Sequence, residues 1–74
     1  MHNSEIIKKI GQEIKKRRLE KNISIIDFAK FCNMSMKRAK RVEEGLAVLK
    51  ISDLDKFAKF FKISLSELLQ SVDF

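Results

Sequence analysis

Eight of the sixteen lysines and arginines in this 74-residue chain fall in two short runs, Lys15 to Arg18 and Lys37 to Arg41. Set against ten acidic residues they leave a net charge of +6, and clustered cations of this kind suit a polyanionic partner. A solvated basic surface accounts for the charge equally well, so charge alone does not choose between the two. Other chemistry has little material to work with. The single histidine, His2, lies at the N-terminus, the single cysteine, Cys32, lies in an apolar-periodic stretch, and the carboxylates are scattered without a partner base. No nucleophile–base pair can be assembled from these groups, which argues against an enzyme. One His and one Cys cannot supply a tetrahedral metal site, and no cofactor motif is present. Charge would permit RNA binding, but all six aromatics are Phe, mostly at apolar-periodic positions, which leaves no stacking platform for bases.

The cationic runs must be positioned by helices. Proline is absent, glycine occurs twice, and Lys, Glu, Leu, Ile and Ala are abundant, all of which favours an all-α fold. Ile6, Ile7, Ile10, Ile14 and Leu19 give a helix from Ser4 to about Lys21 with one apolar stripe. Asn22 and Ile23 interrupt it, and Ser24 with Asp27 three residues on forms an N-cap signature for a second, short helix. That helix carries Phe28, Ala29 and Cys32 on one face and ends at Asn33, which tolerates a left-handed C-cap. Ser35 caps a third helix running to about Glu44 and stopping at Gly45. Two short helices joined so tightly must cross at a large angle, and Ala29, Cys32, Ala39 and Val42 are compact enough for the shared corner. Leu54, Phe57, Ala58 and Phe61 mark a fourth helix between about Ser52 and Lys62, and the capping box Ser64 to Glu67 opens a fifth.

These elements amount to one domain, expected over residues 4–74 behind a frayed tail at 1–3, because a second core could not be filled from so short a chain. A lone cysteine excludes a disulfide framework and suits a reducing compartment. No apolar run approaches the roughly 20 residues of a membrane span, and Met1 to Lys9 lack the apolar core of a signal peptide. A cytoplasmic protein with no membrane partner is the expectation.

The segment SIIDFAKFCNMSMKRAKRVEEG, Ser24 to Gly45, resembles the helix-turn-helix of the Cro and lambda-repressor type family, also called the Xre family. The likeness extends to Gly11, Ile14 and Arg18 in the first helix, to Glu43 and Gly45 at the end of the third, and to FAKFFKISLSELL at Phe57 to Leu69. It covers about residues 10 to 69 and implies a five-helix lambda-repressor-like fold. It further implies an ion pair between Arg18 and Glu43, where a bidentate bond would lock the first helix against the third and leave donors for a phosphate.

In such a fold the helix opening at Ser35 lies in the major groove of duplex DNA. The resemblance places Met36, Lys37, Lys40 and Arg41 at base-reading positions, on the face opposite Ala39 and Val42. Arg41 is the leading base reader, since its fork can donate to both guanine O6 and N7, whereas Met36 suits a thymine methyl. Lys37 and Lys40 serve base reading or simple phosphate contact equally well. Phosphate contacts are expected from Arg18, from Ser24 and Ile25 at the start of the second helix, and from Lys30 and Arg38. Arg38 stands where relatives often have a small Ser or Thr, so it has the alternative of reaching sideways.

Several positions depart from the family pattern. Ile25 replaces a common glutamine, Asn33 a glycine, and Ala39 a larger aliphatic residue whose space Phe28 or Phe31 would fill. After Gly45 the connection is apolar, Leu46 to Leu49, where relatives are often polar or basic. It either folds into the core or, with Val72 and Phe74, forms the surface of a homodimer. Three functions are compatible with these residues: a sequence-specific transcriptional regulator, acting as a repressor; the antitoxin of a toxin–antitoxin pair, binding a protein partner; and a scaffold that no longer binds DNA. Lys37, Lys40 and Arg41 argue against the last.

Overall fold

An apolar residue every third or fourth position winds the first 17 described residues into one long helix. The computed structural model describes residues 4–72. Helix α1 spans Ser4–Glu20 and buries Ile7, Ile10, Gly11 and Ile14. Leu19, expected on that stripe, is instead 55% exposed. At 100° per residue the stripe passes from Ile14 to Arg18, which leaves Leu19 a quarter-turn off it. The predicted frayed tail at 1–3, with His2, lies outside the described residues, as does Phe74.

Helices α2 (Ile25–Phe31) and α3 (Met36–Glu43) follow, each opened as predicted by a serine. Ser24 Oγ accepts the Asp27 backbone N–H at 3.1 Å and Ser35 Oγ that of Arg38 at 3.1 Å. Helices α4 (Ile51–Phe60) and α5 (Leu65–Gln70) complete the chain, with Ser64 capping Glu67 at 3.0 Å. Helix α4 begins one residue earlier than expected. Asp53 supplies the reason, because its carboxylate accepts the Lys50 backbone N–H at 2.8 Å and so turns the chain at Lys50.

One device ends the first four helices. Asn22, Asn33, Gly45 and Lys62 take φ of 54°, 55°, 77° and 58°, and the N–H that follows each reaches back over six residues. These bonds run from Ile23 to Arg18, Met34 to Ala29, Leu46 to Arg41 and Ile63 to Ala58, at 3.0, 2.9, 2.9 and 3.0 Å. This left-handed cap satisfies carbonyls that a helix end leaves bare and reverses the chain within three residues.

Phe28 is the hub of the core. It is fully buried, with ring centroids 5.5 Å from Phe57, 5.3 Å from Phe60 and 6.4 Å from Phe61, which ties α2 to α4. Phe31 does not fill space beside Ala39. It is 57% exposed and rests on Phe60 at 5.2 Å. Ala29, Cys32, Ala39 and Val42 are all buried, forming the compact corner between α2 and α3.

The apolar connection after Gly45 divides by alternation. Ala47 and Leu49 turn inward, while Leu46 and Val48 are 63% and 55% exposed. Leu49 therefore does not belong to a dimer surface, and neither does Val72, which is 4% exposed. Both were reachable as surface only if the short connection and the end of α5 stood off the core, and both instead complete it.

Candidate nucleic-acid interface

Helix α3 is short and stands on α1 at two glycines. A Cβ built on Gly11 would overlap the Val42 carbonyl oxygen and lie 2.9 Å from that of Glu43. A Cβ on Gly45 would come 2.8 Å from the Lys8 Cα. The C-terminal half of α3 is thus held at backbone distance from α1.

Arg18 locks the same junction. Its Nε donates to Glu43 Oε2 at 2.7 Å, its Nη2 to Glu43 Oε1 at 3.0 Å, and its Nη1 to the Ile23 carbonyl at 2.9 Å. The side chains are only 12% and 6% exposed, so this is a sheltered, charge-assisted fork. The bonds to Glu43 raise the Arg18 pKa further above its already high ordinary value, with burial opposing them. The predicted ion pair is therefore present in the structure. Arg18 also lines a shallow cleft of about 250 Å³ with Lys15, Ile25, Lys40, Glu43 and Glu44. Lys15 was not singled out individually from the sequence; its place one turn before Arg18 is the signal that would have found it.

The outer face of α3 carries the predicted reading residues. Met36, Lys37, Lys40 and Arg41 are all exposed, and Ala39 and Val42 on the opposite face are fully buried. Among the described residues Lys37 and Lys40 pair with no carboxylate. Arg41 Nη2 makes a long bond, 3.4 Å, to the Leu46 carbonyl, which leaves most of its donors outward. Ser24 and Lys30 are exposed and Ile25 is half-buried at the start of α2. The Ser24 hydroxyl accepts from Asp27 and keeps its own O–H to donate. Arg38 takes the sideways course: its Nη2 lies 3.2 Å from Asp53 Oδ2 and 3.3 Å from the Val48 carbonyl. Asp53, missed in the sequence, sits three residues after Lys50, the spacing of a capping acid.

Two capped helices crossing through a tight turn, with the second pinned from behind and cationic in front, define a helix-turn-helix module. A helix-turn-helix family model matches residues 14–68, and the chain belongs to that Xre/Cro-like family of DNA-binding transcription regulators. No curated protein matches the chain. No helix among the described residues is long and apolar enough to cross a membrane.

Proposed function

We propose that this protein is a sequence-specific double-stranded DNA-binding repressor that acts in the cytoplasm by placing α3 in the major groove of a promoter. The observation that carries the reading is the polarity of α3: Lys37, Lys40 and Arg41 face outward from a helix whose back is buried and clamped by Arg18 and Gly11. Base recognition needs donors on a rigid element, and both conditions are met here. Arg41 reads a guanine, Met36 touches a thymine methyl, and Lys37 and Lys40 contribute base or phosphate contacts. Ser24 and Ile25, at the start of α2, approach one strand's phosphates beside Arg18, and Lys30, in the last turn of α2, extends the contact. A homodimer binding two half-sites is supported by the adjacent exposed Leu46 and Val48, which together offer an apolar contact outside the core.

Selection of bound sequences from random duplexes, followed by titration against a scrambled duplex at several salt concentrations, tests the proposal. Equal affinity for both duplexes defeats it. Given a preferred site, Arg41→Ala flattens preference at one position per half-site, a contact worth about 1–3 kcal/mol. Lys30→Ala weakens all duplexes alike and reduces the salt slope by about 1. Sedimentation of Val48→Glu reads the dimer; an unchanged association state removes Val48 from the contact.

A further inference from the structure

Arg38 has the position and charge of a phosphate ligand, but its geometry serves another purpose. The guanidinium is turned from the outer face of α3 toward the start of α4, where a single carboxylate oxygen, Asp53 Oδ2, receives both the Arg38 Nη2 at 3.2 Å and the Lys50 backbone N–H at 2.8 Å. The same Nη2 bonds the Val48 carbonyl at 3.3 Å. These three bonds, closed through the backbone from Val48 to Lys50, tie α3 through the connection to the first turn of α4.

Building on the reading of α3 as the DNA-reading helix, we propose that Arg38 is a positioning residue that sets the tilt of α3 through Asp53, and not a phosphate ligand. Helix α3 is held to α1 at its C-terminal half, by Gly11, Gly45 and the Arg18–Glu43 fork, and to α2 through the corner where Ala39 is buried. Met36 and Lys37, in the exposed first turn, project beyond both holds. Met36 lies about 4.5 Å along the axis from Ala39, so a rotation of about 10° about that corner carries it some 0.8 Å. Base contacts require placement to about 0.5 Å. Arg38, in that first turn, supplies an attachment to α4 on the outer side of the corner, which opposes the tilt. Paired with Asp53, it brings little unneutralised charge to a phosphate.

The sign of one substitution separates the two roles. Asp53→Asn retains an oxygen to accept the Lys50 N–H but lacks the charge that holds Arg38. If Arg38 were a phosphate ligand restrained by Asp53, loss of that acid would free a cation and strengthen binding to every duplex. If Arg38 positions α3, the same change weakens binding to the preferred site although an acidic group has been removed.

The experiment titrates the wild type, Arg38→Met, Asp53→Asn and the double variant against the selected site and a scrambled duplex at several salt concentrations. Circular dichroism of each confirms the fold. Each single change is expected to lower the preference for the selected site by about fivefold, the low end of what one disturbed base pair costs. The double variant is expected to be no worse than either single, and the salt slope on scrambled DNA to be unchanged. A salt slope reduced by about 1 in Arg38→Met, or tighter binding by Asp53→Asn, makes Arg38 a phosphate ligand and overturns the inference. Wild-type preference in both variants overturns it as well. Should Asp53→Asn not fold, the preference and slope of Arg38→Met decide alone, since a side chain 40% exposed tolerates Met. A wild type without any preferred site defeats the proposed function itself, before a variant is compared.

Discussion

Gly11→Ala pits helix propensity against tertiary packing, and the two predict opposite signs. In the interior of α1, replacing glycine by alanine should stabilise the helix by about 1 kcal/mol. The new methyl, however, would overlap the Val42 carbonyl oxygen and sit 2.9 Å from the Glu43 carbonyl oxygen and 3.1 Å from the Glu43 carbonyl carbon. These are backbone atoms of α3, so no side-chain rotation relieves them; the helices must separate by several tenths of an ångström or more. Overpacking of a rigid contact costs about 1–3 kcal/mol, and backbone on the receiving side places this one at the upper end. Subtracting the propensity gain leaves a net loss of about 2 kcal/mol. For a domain of this size that lowers the melting temperature by about 8–16 °C. Thermal denaturation followed by circular dichroism measures it, with Gln12→Ala, at the exposed neighbouring position, as a control that should melt near the wild type. Separation of α1 from α3 also stretches the Arg18–Glu43 fork, so the folded fraction should bind DNA more weakly. A melting temperature equal to or above that of the wild type would refute the close-approach argument.

Two further outcomes follow from local geometry. Lys62 is exposed and holds φ at 58°, a left-handed conformation that penalises a side chain, so Lys62→Gly should raise stability by up to about 1 kcal/mol in urea titration. Asn33→Gly, at φ 55°, should gain less because Asn enters that region readily; no gain at Lys62 would refute the strain, and equal or reversed gains would refute the difference between the two residues. Burial pushes the Cys32 thiol up to about 11 from an ordinary value of 9.0, with Lys56 pulling against it. The unfolded chain therefore loses the proton first, and the contribution is intact below pH 9 and declines as pH rises toward 11. Comparing urea midpoints of the wild type and Cys32→Ala across this range isolates it; parallel profiles would refute it. Below pH 9 the folded thiol should also react slowly with alkylating reagents compared with the urea-unfolded chain.

Local chemistry determined the five helices and the two-helix unit from the sequence itself. Ser24, Ser35 and Ser64 advertise helix starts because a hydroxyl at the N-cap satisfies a donor of the first turn, whatever the rest of the chain does. Asn33 and Gly45 advertise stops for a similarly local reason, and the outward cations of α3 follow from helical period once Ala39 and Val42 are assigned to the core. The Arg18–Glu43 pair was legible through family resemblance, not spacing, since its partners lie 25 residues apart. Tertiary structure alone decided the remainder. Whether Leu49 and Val72 were core or surface depended on the room left beside Phe28 and its neighbours, which no local pattern encodes. Leu19, by contrast, lost its expected burial for a local reason, lying a quarter-turn off the stripe of α1. Arg38 looked like any cation at the start of a DNA-reading helix, and only the folding of α4 against the connection brought Asp53 within reach. Caps and periodicity are properties of a few neighbouring residues, whereas packing register and long-range pairing exist only after the helices have met.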